Sequence, residues 1–422
     1  MTPPNVLIIL SDDQRFDFLE YMPNTRNLIA FPGRDFTHTR CNVAICEPTR
    51  VSLLTGQYSI HHGVVTQSFE SLPDHNHNDL LGAWMQAAGY RTGLIGKYLN
   101  GTPPLIPKPD GWDTWLQIDE TTGYGPVGYQ VCDGVSMSTP DEFQMDYLRE
   151  QAMTFIEGSQ PWFLLLAPSS PHIPFDPDPK DLFAWSDVRW PLVIEDNVDD
   201  KPSWISSQPP LPASSLSNFR ATARAQLREG TALDRAIGDI VRSLAPAVLD
   251  NTVVVYSSDN GLEYGEHRLP FVGIFKNAAY DPGMRVPLVI RGHDFPAGVS
   301  EEPVTMAADV TVTVLALAGA SATRPTDGID LRDMIANPSA YTGRQILHSK
   351  GPASDFGEAP AGDGISTLTR KLYRYPSVTG PDRYEAYDLD IDPDEFTNWA
   401  NDPARLPERD ALEAALDALL AS

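Results

Sequence analysis

The chain is expected to fold as an α/β protein, with a central, mostly parallel sheet flanked by helices and a smaller C-terminal α+β subdomain. Three observations predict this. Runs such as Val6-Leu7-Ile8-Ile9-Leu10 and Thr252-Val253-Val254-Val255-Tyr256 are apolar almost throughout, as strands covered on both faces are. Such runs alternate with helical patterns along most of the chain, the signature of a parallel sheet with helical crossovers. After about residue 340 the character changes to strands bearing Arg and Tyr and a final helix. With 422 residues the chain is long enough for two domains, and the expected division is residues 1–340 and 341–422.

Taken in order, the first strand, Val6 to Leu10, runs into Asp12 and Asp13, at the strand end where open α/β sheets bind ligands. A helix is expected around Pro48, since a proline in the first turn has no N–H to waste. Another helix should run from about Asn78 to Ala88, followed by a strand from Arg91 to Ile95. Residues 141–157 form an amphipathic pattern leading to the strand Trp162 to Ala167. Residues 170–215 are rich in Pro, Asp and Trp and read as a long ordered loop over the sheet edge, a kind of loop that is often functional. From about Ser214 to Leu249 one helical pattern enters the strand Thr252 to Tyr256, which ends in Ser257-Ser258-Asp259-Asn260-Gly261. Arg285 to Arg291 is a further buried strand, residues 305–319 an apolar helix, and residues 408–421 the last helix.

Apolar content of 41% and charged content of 21% are ordinary for a globular protein. The 38 prolines fit long, irregular but ordered connections. A formal charge of −26 argues against nucleic acid and anionic membrane as partners, because both require a basic surface. The same field disfavours a long polyanionic polymer, yet screening over about 8–10 Å leaves a locally positive pocket able to take a small anion. Three cysteines, Cys41, Cys46 and Cys132, make no disulfide framework. No segment approaches the roughly 18 apolar residues of a membrane span, and the first residues lack the pattern of a secretory leader. A cytoplasmic location is expected.

The chemistry-bearing residues gather in a few runs. Asp12/Asp13 and Asp259/Asn260 are hard oxygen donors at the ends of two apolar strands. Each pair alone is commonly a turn or a helix cap, whereas together they form a split site for a divalent cation. Cys46-Glu47-Pro48-Thr49-Arg50 is followed by Val51-Ser52-Leu53-Leu54-Thr55-Gly56. Gly89-Tyr90-Arg91-Thr92-Gly93-Leu94-Ile95-Gly96-Lys97-Tyr98-Leu99-Asn100 carries a Gly-Lys pair after a strand. Ser170-Pro171-His172-Ile173-Pro174 follows the strand ending at Ala167. Gly265-Glu266-His267-Arg268-Leu269-Pro270 precedes Lys276, Tyr280 and Arg285-Val286-Pro287-Leu288. Near the end stand Ala386-Tyr387-Asp388-Leu389, Asp392-Pro393-Asp394-Glu395 and Asn398.

Taken together, these runs resemble the formylglycine-dependent sulfatases of the alkaline-phosphatase superfamily, from residue 6 to about residue 400. The resemblance implies an alkaline-phosphatase-like fold and hydrolysis of aryl or sugar sulfate monoesters to alcohol and inorganic sulfate. It implies that a formylglycine-generating enzyme oxidises Cys46 to formylglycine, an aldehyde whose hydrate is the nucleophile. One divalent cation, Ca²⁺ in the first place with Mg²⁺ or Mn²⁺ as alternatives, would sit among Asp12, Asp13, position 46, Asp259 and Asn260. Lys97, His172 and Lys276 would bind the sulfate, with His172 the general acid and Lys276 assisting. Arg50 would stabilise the aldehyde and its loop, its bland alternative being a surface salt bridge, and His267 would touch substrate.

Three departures from the family pattern stand out. Leu99 occupies the place of a histidine in many arylsulfatases, which leaves the base for the sulfate-releasing step unassigned. The Lys-Tyr-Leu-Asn form there resembles sulfatases acting on glucosamine 6-sulfates. Thr49 stands where Ser or Ala is usual, and Tyr280-Asp281-Pro282 where Tyr-Glu-Glu is usual. Two rival readings are a phosphonate monoester or phosphodiester hydrolase of the same superfamily and a silent binding protein that keeps the fold. The first tends to use Asp-Gln and Asp-His at the two pairs, unlike this chain. The second has no chemical need for Cys46, Arg50, Lys97, His172 and Lys276 together. The alcohol would be read by the 100–140 and 175–215 loops, where Trp112, Trp115, Trp185 and Trp190 either stack on a ring or serve as core aromatics.

Overall fold

The computed structural model describes residues 3–67, 76–123, 125–269, 276–350, 360–377 and 381–422; Pro270 of the runs above lies outside them. A 10-stranded sheet organises the chain. Its strands lie in the order Gly298–Ser300, Arg34–Phe36, Leu288–Arg291, Thr252–Ser258, Asn5–Ser11, Trp162–Ala167, Arg91–Gly96, Thr114–Ile118, Val131–Cys132 and Met137–Ser138. The middle of this sheet is parallel. Asn5–Ser11 pairs in parallel with Thr252–Ser258 on one side and, through Val6–Ile9, with Phe163–Leu166 on the other.

The apolar first strand explains its own composition. Val6, Ile8 and Leu10 enter the cluster on one face of the sheet, while Leu7 and Ile9 enter the cluster on the other. Successive side chains of a strand alternate faces, so only a strand covered on both sides is apolar at every position. The four tryptophans belong to these interiors. Trp112, Trp115 and Trp190 are buried, and Trp185 packs against the second cluster with its indole N–H donating to Thr231 Oγ1 at 2.9 Å. Trp112, Trp115 and Trp190 are thus core aromatics, and Trp185 is half-buried.

Three expectations are corrected. The Arg285–Arg291 strand is confined to Leu288–Arg291 and runs antiparallel to Thr252–Ser258, because Pro287 withholds a ladder N–H and Leu288 is the first residue able to pair. The single long helix divides into Ala213–Ser243 and Pro246–Asp250. Ala245 is extended at φ −57° and ψ 146°, the conformation that a following proline imposes on its predecessor. The helix expected from Asn78 is Leu81–Ala87.

Beyond residue 340 the strands Ile346–Lys350, Gly362–Ser366, Arg370–Tyr375 and Arg383–Asp388 form a second, antiparallel sheet, and the helix Leu406–Leu420 covers it through Leu416. Cys41, Cys46 and Cys132 are all free and buried. Among the described residues no helix is long and apolar enough to cross a membrane.

Candidate active site

The parallel arrangement brings the ends of four strands to one edge of the sheet. Asn5–Ser11 delivers Asp12 and Asp13, Thr252–Ser258 delivers Asp259 and Asn260, Arg91–Gly96 delivers Lys97, and Trp162–Ala167 leads to His172. Carboxyl ends of parallel strands are where such sheets place ligands. Cys46 arrives differently, as the first residue of the buried helix Cys46–Thr55, which Gly56 closes in the left-handed region at φ 70°. The Thr49 hydroxyl donates to Val43 O at 2.8 Å, so this residue ties down the loop that precedes Cys46.

Ligand atoms of Asp12, Asp13, Cys46 and His172 all lie within 4.8 Å of one another. Cys46 Sγ is 3.3 Å from Asp12 Oδ1 and 3.8 Å from Asp13 Oδ1. Lys276 Nζ donates to Asp13 Oδ1 and Oδ2 at 2.9 and 3.1 Å and to Cys46 Sγ at 3.3 Å. Arg50 is no surface residue. Its Nε donates to Asp259 Oδ2 at 2.8 Å, Nη2 to Asp12 Oδ2 at 3.1 Å and Nη1 to Lys97 O at 3.3 Å, all within the buried interior. Lys97 Nζ lies 2.5 Å from Asp12 Oδ2.

The Gly-Lys pair has a steric cause. Gly96 sits at φ +116°, and a Cβ there would lie 2.1 Å from Ala167 O. The close approach lets Lys97 N donate to that same carbonyl at 2.6 Å, which fixes the lysine at the strand end. Gly96→Ala is therefore expected to displace Lys97. Turnover should fall at least tenfold, and thermal denaturation should show a marked loss as well, since the added methyl meets backbone and the φ disfavours any side chain.

Electrostatics of the cluster follow from burial and from the charges packed into it. Burial pushes Asp12 up, but Lys97, Arg50, His172 and Lys276 outweigh it and hold the carboxyl below the usual range. Burial and the neighbouring Asp12 charge push Asp259 up to about 6 despite Arg50 and Lys97. Burial, with Asp12 and Asp259, drives the Cys46 thiol well above its ordinary value, so Cys46 as a thiol is protonated and a poor nucleophile. Burial lowers His172, partly opposed by Asp13 and Asp12. Its Nδ1–H donates to Ile173 O at 2.8 Å, which leaves Nε2, 3.4 Å from Asp13 Oδ2, as the ring atom facing the site.

The residues fit a hard divalent cation. Asn260 donates its amide nitrogen to Asp13 Oδ1 at 2.7 Å and to Gly261 O at 2.8 Å, while its Oδ1 is buried with no hydrogen-bond partner. A half-turn of that amide puts an oxygen beside Asp13, the donor that Ca²⁺ or Mg²⁺ would take. Asp259 borders the group, with Oδ1 accepting from the backbone N–H of Asp13 at 3.1 Å and of Asn260 at 2.8 Å.

His267 is not brought to this group. It is fully buried in a neighbouring cluster, with Nδ1 3.0 Å from Glu195 Oε2 and its ring stacked 3.7 Å from Tyr280. Leu99 is likewise buried in the apolar cluster with Tyr98, Trp112 and Trp115, so the position holds no proton-exchanging group. Two polar neighbours escaped the sequence reading. Glu120 Oε1 lies 3.5 Å from Lys97 Nζ, and Gln226 Nε2 donates to Asp13 O at 2.8 Å and Pro171 O at 3.2 Å. Glu120 follows the strand Thr114–Ile118, so the rule that singled out the two acid pairs also points to it. Gln226 lies mid-helix and has no local signal.

Residues 4–320 match the family described as Sulfatase, and residues 265–421 match the family described as N-sulphoglucosamine sulphohydrolase, C-terminal. The chain is 27% identical over 492 residues to an arylsulfatase of Volvox carteri, covering 99% of this chain and 74% of that protein. It is 26% identical over 451 residues to the N-acetylglucosamine-6-sulfatase of Homo sapiens, covering 94% of this chain and 81% of that one. A protein solved with its substrate D-glucosamine-2-N,6-O-disulfate superposes with a TM-score of 0.85 at 20% identity, over 99% of this chain and 97% of the other, a likeness of fold. The strand-end acids, the buried cysteine and its lysines thus stand in a chain that belongs to the sulfatase family, in the alkaline-phosphatase superfamily.

Proposed function

We propose that this hydrolase cleaves the sulfate monoester of a small sugar or aryl alcohol, using formylglycine made from Cys46 and one divalent cation, Ca²⁺ in the first place. The observation that carries the reading is the convergence of Cys46, Asp12, Asp13 and Lys276 in one buried group. Such a cation would polarise the sulfate oxygens and acidify the attacking hydroxyl, held by Asp12, Asp13, Asp259, Asn260 and position 46. A hydrated aldehyde at position 46 would supply two hydroxyls on one carbon, one to attack sulfur and one to release sulfate. The chain's own residues do the rest. Lys97 and Lys276 present ammonium groups where negative charge builds, and Arg50 fixes Asp12 and Asp259 so that the donors do not reorganise during reaction.

His172 Nε2 is the atom that would carry the proton to the leaving oxygen, since Nδ1–H is committed to Ile173 O. His172→Asn is expected to slow hydrolysis of a sugar sulfate by about 10²–10⁴-fold. It should cost a nitrophenyl sulfate, whose leaving group needs no proton, only the smaller loss that a weaker hold on the sulfate brings. Equal losses on both substrates would remove His172 from this role.

A compact substrate suits a protein of charge −26, which repels a polyanion but not a small ester. The Lys97-Tyr98-Leu99-Asn100 run and the human N-acetylglucosamine-6-sulfatase relative support an amino-sugar 6-sulfate among the candidates. Matured protein should release sulfate from nitrophenyl sulfate faster than it cleaves a nitrophenyl phosphonate ester. The reverse preference would favour the phosphonate hydrolase reading. Metal analysis of the same sample identifies the cation.

A further inference from the structure

We infer that Lys371, in the C-terminal sheet, is a positioning residue that locks together the two active-site arms carrying Cys46 and Lys276. The first arm runs from Arg40 to Cys46 and the second from Lys276 to Arg285. They are zipped by backbone bonds, Cys41 N to Met284 O at 2.9 Å and Asn277 N to Ala44 O at 2.9 Å. At their junction Arg40 grips Asp281 through both carboxylate oxygens, Nε to Oδ1 at 2.8 Å and Nη2 to Oδ2 at 2.6 Å. Lys371 Nζ donates to the same Asp281 Oδ1 at 2.8 Å and to Glu395 Oε1 at 2.7 Å. Glu395 closes the circuit by accepting from the Asp281 backbone N–H at 2.6 Å.

The four side chains are 1%, 6%, 1% and 0% exposed for Arg40, Asp281, Lys371 and Glu395. Two positive and two negative charges cancel, which is the condition for holding such groups out of water. Lys371 is the member that comes from the C-terminal sheet; it holds Asp281 of the second arm directly and the first arm through the Arg40–Asp281 pair. Burial pushes Glu395 up to about 7 while Lys371 pulls it down, and Arg40 and Lys371 outweigh burial to hold Asp281 below its ordinary range. Without Lys371 one carboxylate is left uncompensated at the hinge of the Lys276 arm. Asp281 lies five residues after Lys276, whose ammonium lies 3.3 Å from Sγ of Cys46.

The test uses the full mature chain with Lys371→Met, Lys371→Arg and the charge-neutral double variant Lys371→Met/Glu395→Gln. Amide hydrogen exchange over residues 40–46 and 277–285 should speed up by tenfold or more in Lys371→Met, with residues 252–258 of the central strand unchanged. The kcat for nitrophenyl sulfate should fall at least tenfold with a smaller change in KM. Lys371→Arg and the neutral double variant should each recover part of the protection, the latter also if Lys371→Met proves too unstable to isolate. Wild-type exchange in both arms, an equal rise in residues 252–258, or an arginine variant no better than methionine would overturn the inference. The activity readout rests on the proposed sulfatase reaction, whereas the exchange readout does not. A wild-type chain without sulfatase activity would sink the former and leave the latter standing.

Discussion

Cys46→Ala is expected to abolish turnover, with rates on nitrophenyl sulfate at the uncatalysed background, and Cys46→Ser to lose nearly all of it. The alanine variant removes the attacking group outright. The serine variant keeps one hydroxyl at the right place, 3.3 Å or so from Asp12 and Lys276 by analogy with Sγ. It lacks the second hydroxyl on the same carbon that would expel sulfate, so a single sulfuryl transfer should leave the protein about 80 Da heavier and inactive. Intact mass makes the scheme independent of rate. Active wild-type protein should be about 18 Da lighter than its sequence, the loss set by converting a thiol to an aldehyde. An unmodified thiol in fully active protein, or wild-type steady-state rates in either variant, would refute it.

Arg50→Leu should be the most damaging single change to the fold of the site. Three donor contacts vanish, and Asp12 and Asp259 lose their shared counter-ion while fully buried. Removing one partner of a buried ion pair costs about 3–5 kcal/mol, a large share of the roughly 5–15 kcal/mol that holds a domain together. A drop in the denaturant midpoint of matching size, with an unchanged slope, is the expected result. An unfolding free energy within about 0.5 kcal/mol of wild type would mean that water or Lys97 compensates. The conservative change Arg50→Lys should recover only part of the loss, because one ammonium cannot reach both carboxylates in the planar geometry that the guanidinium uses.

The strand-end acids were legible because their chemistry coincides with their topology. Asp12/Asp13 and Asp259/Asn260 follow runs whose apolar continuity already announces a sheet interior, and the edge of such a sheet is where ligands go. Lys97 was legible only through the resemblance of the run Gly89–Asn100 to a family signature; the close approach of Gly96 to Ala167 that fixes it is visible only in the structure. What stayed hidden depends on contacts between segments far apart in sequence. Nothing near Gln226 reports that a helix packed against the sheet will hand its amide to Asp13. Nothing near Lys371 reports Asp281 or Glu395, and His267 carries a motif's appearance but spends its ring on Glu195 and Tyr280. The break between Ser243 and Pro246 was visible in the proline itself, yet the helical periodicity on either side concealed it.

The complete burial of Cys46 sets an order of events. In the finished fold its sulfur is walled in by Asp12, Asp13 and Lys276 and by a helix with every residue buried. An oxidising enzyme needs room around that sulfur for its own active site, and the native chain offers none. The proposed conversion of Cys46 would therefore have to precede collapse, in a race between a maturation enzyme and the folding chain. A sheet whose neighbouring strands lie up to 264 residues apart along the chain is slow to assemble, and that delay would be the window for the proposed conversion.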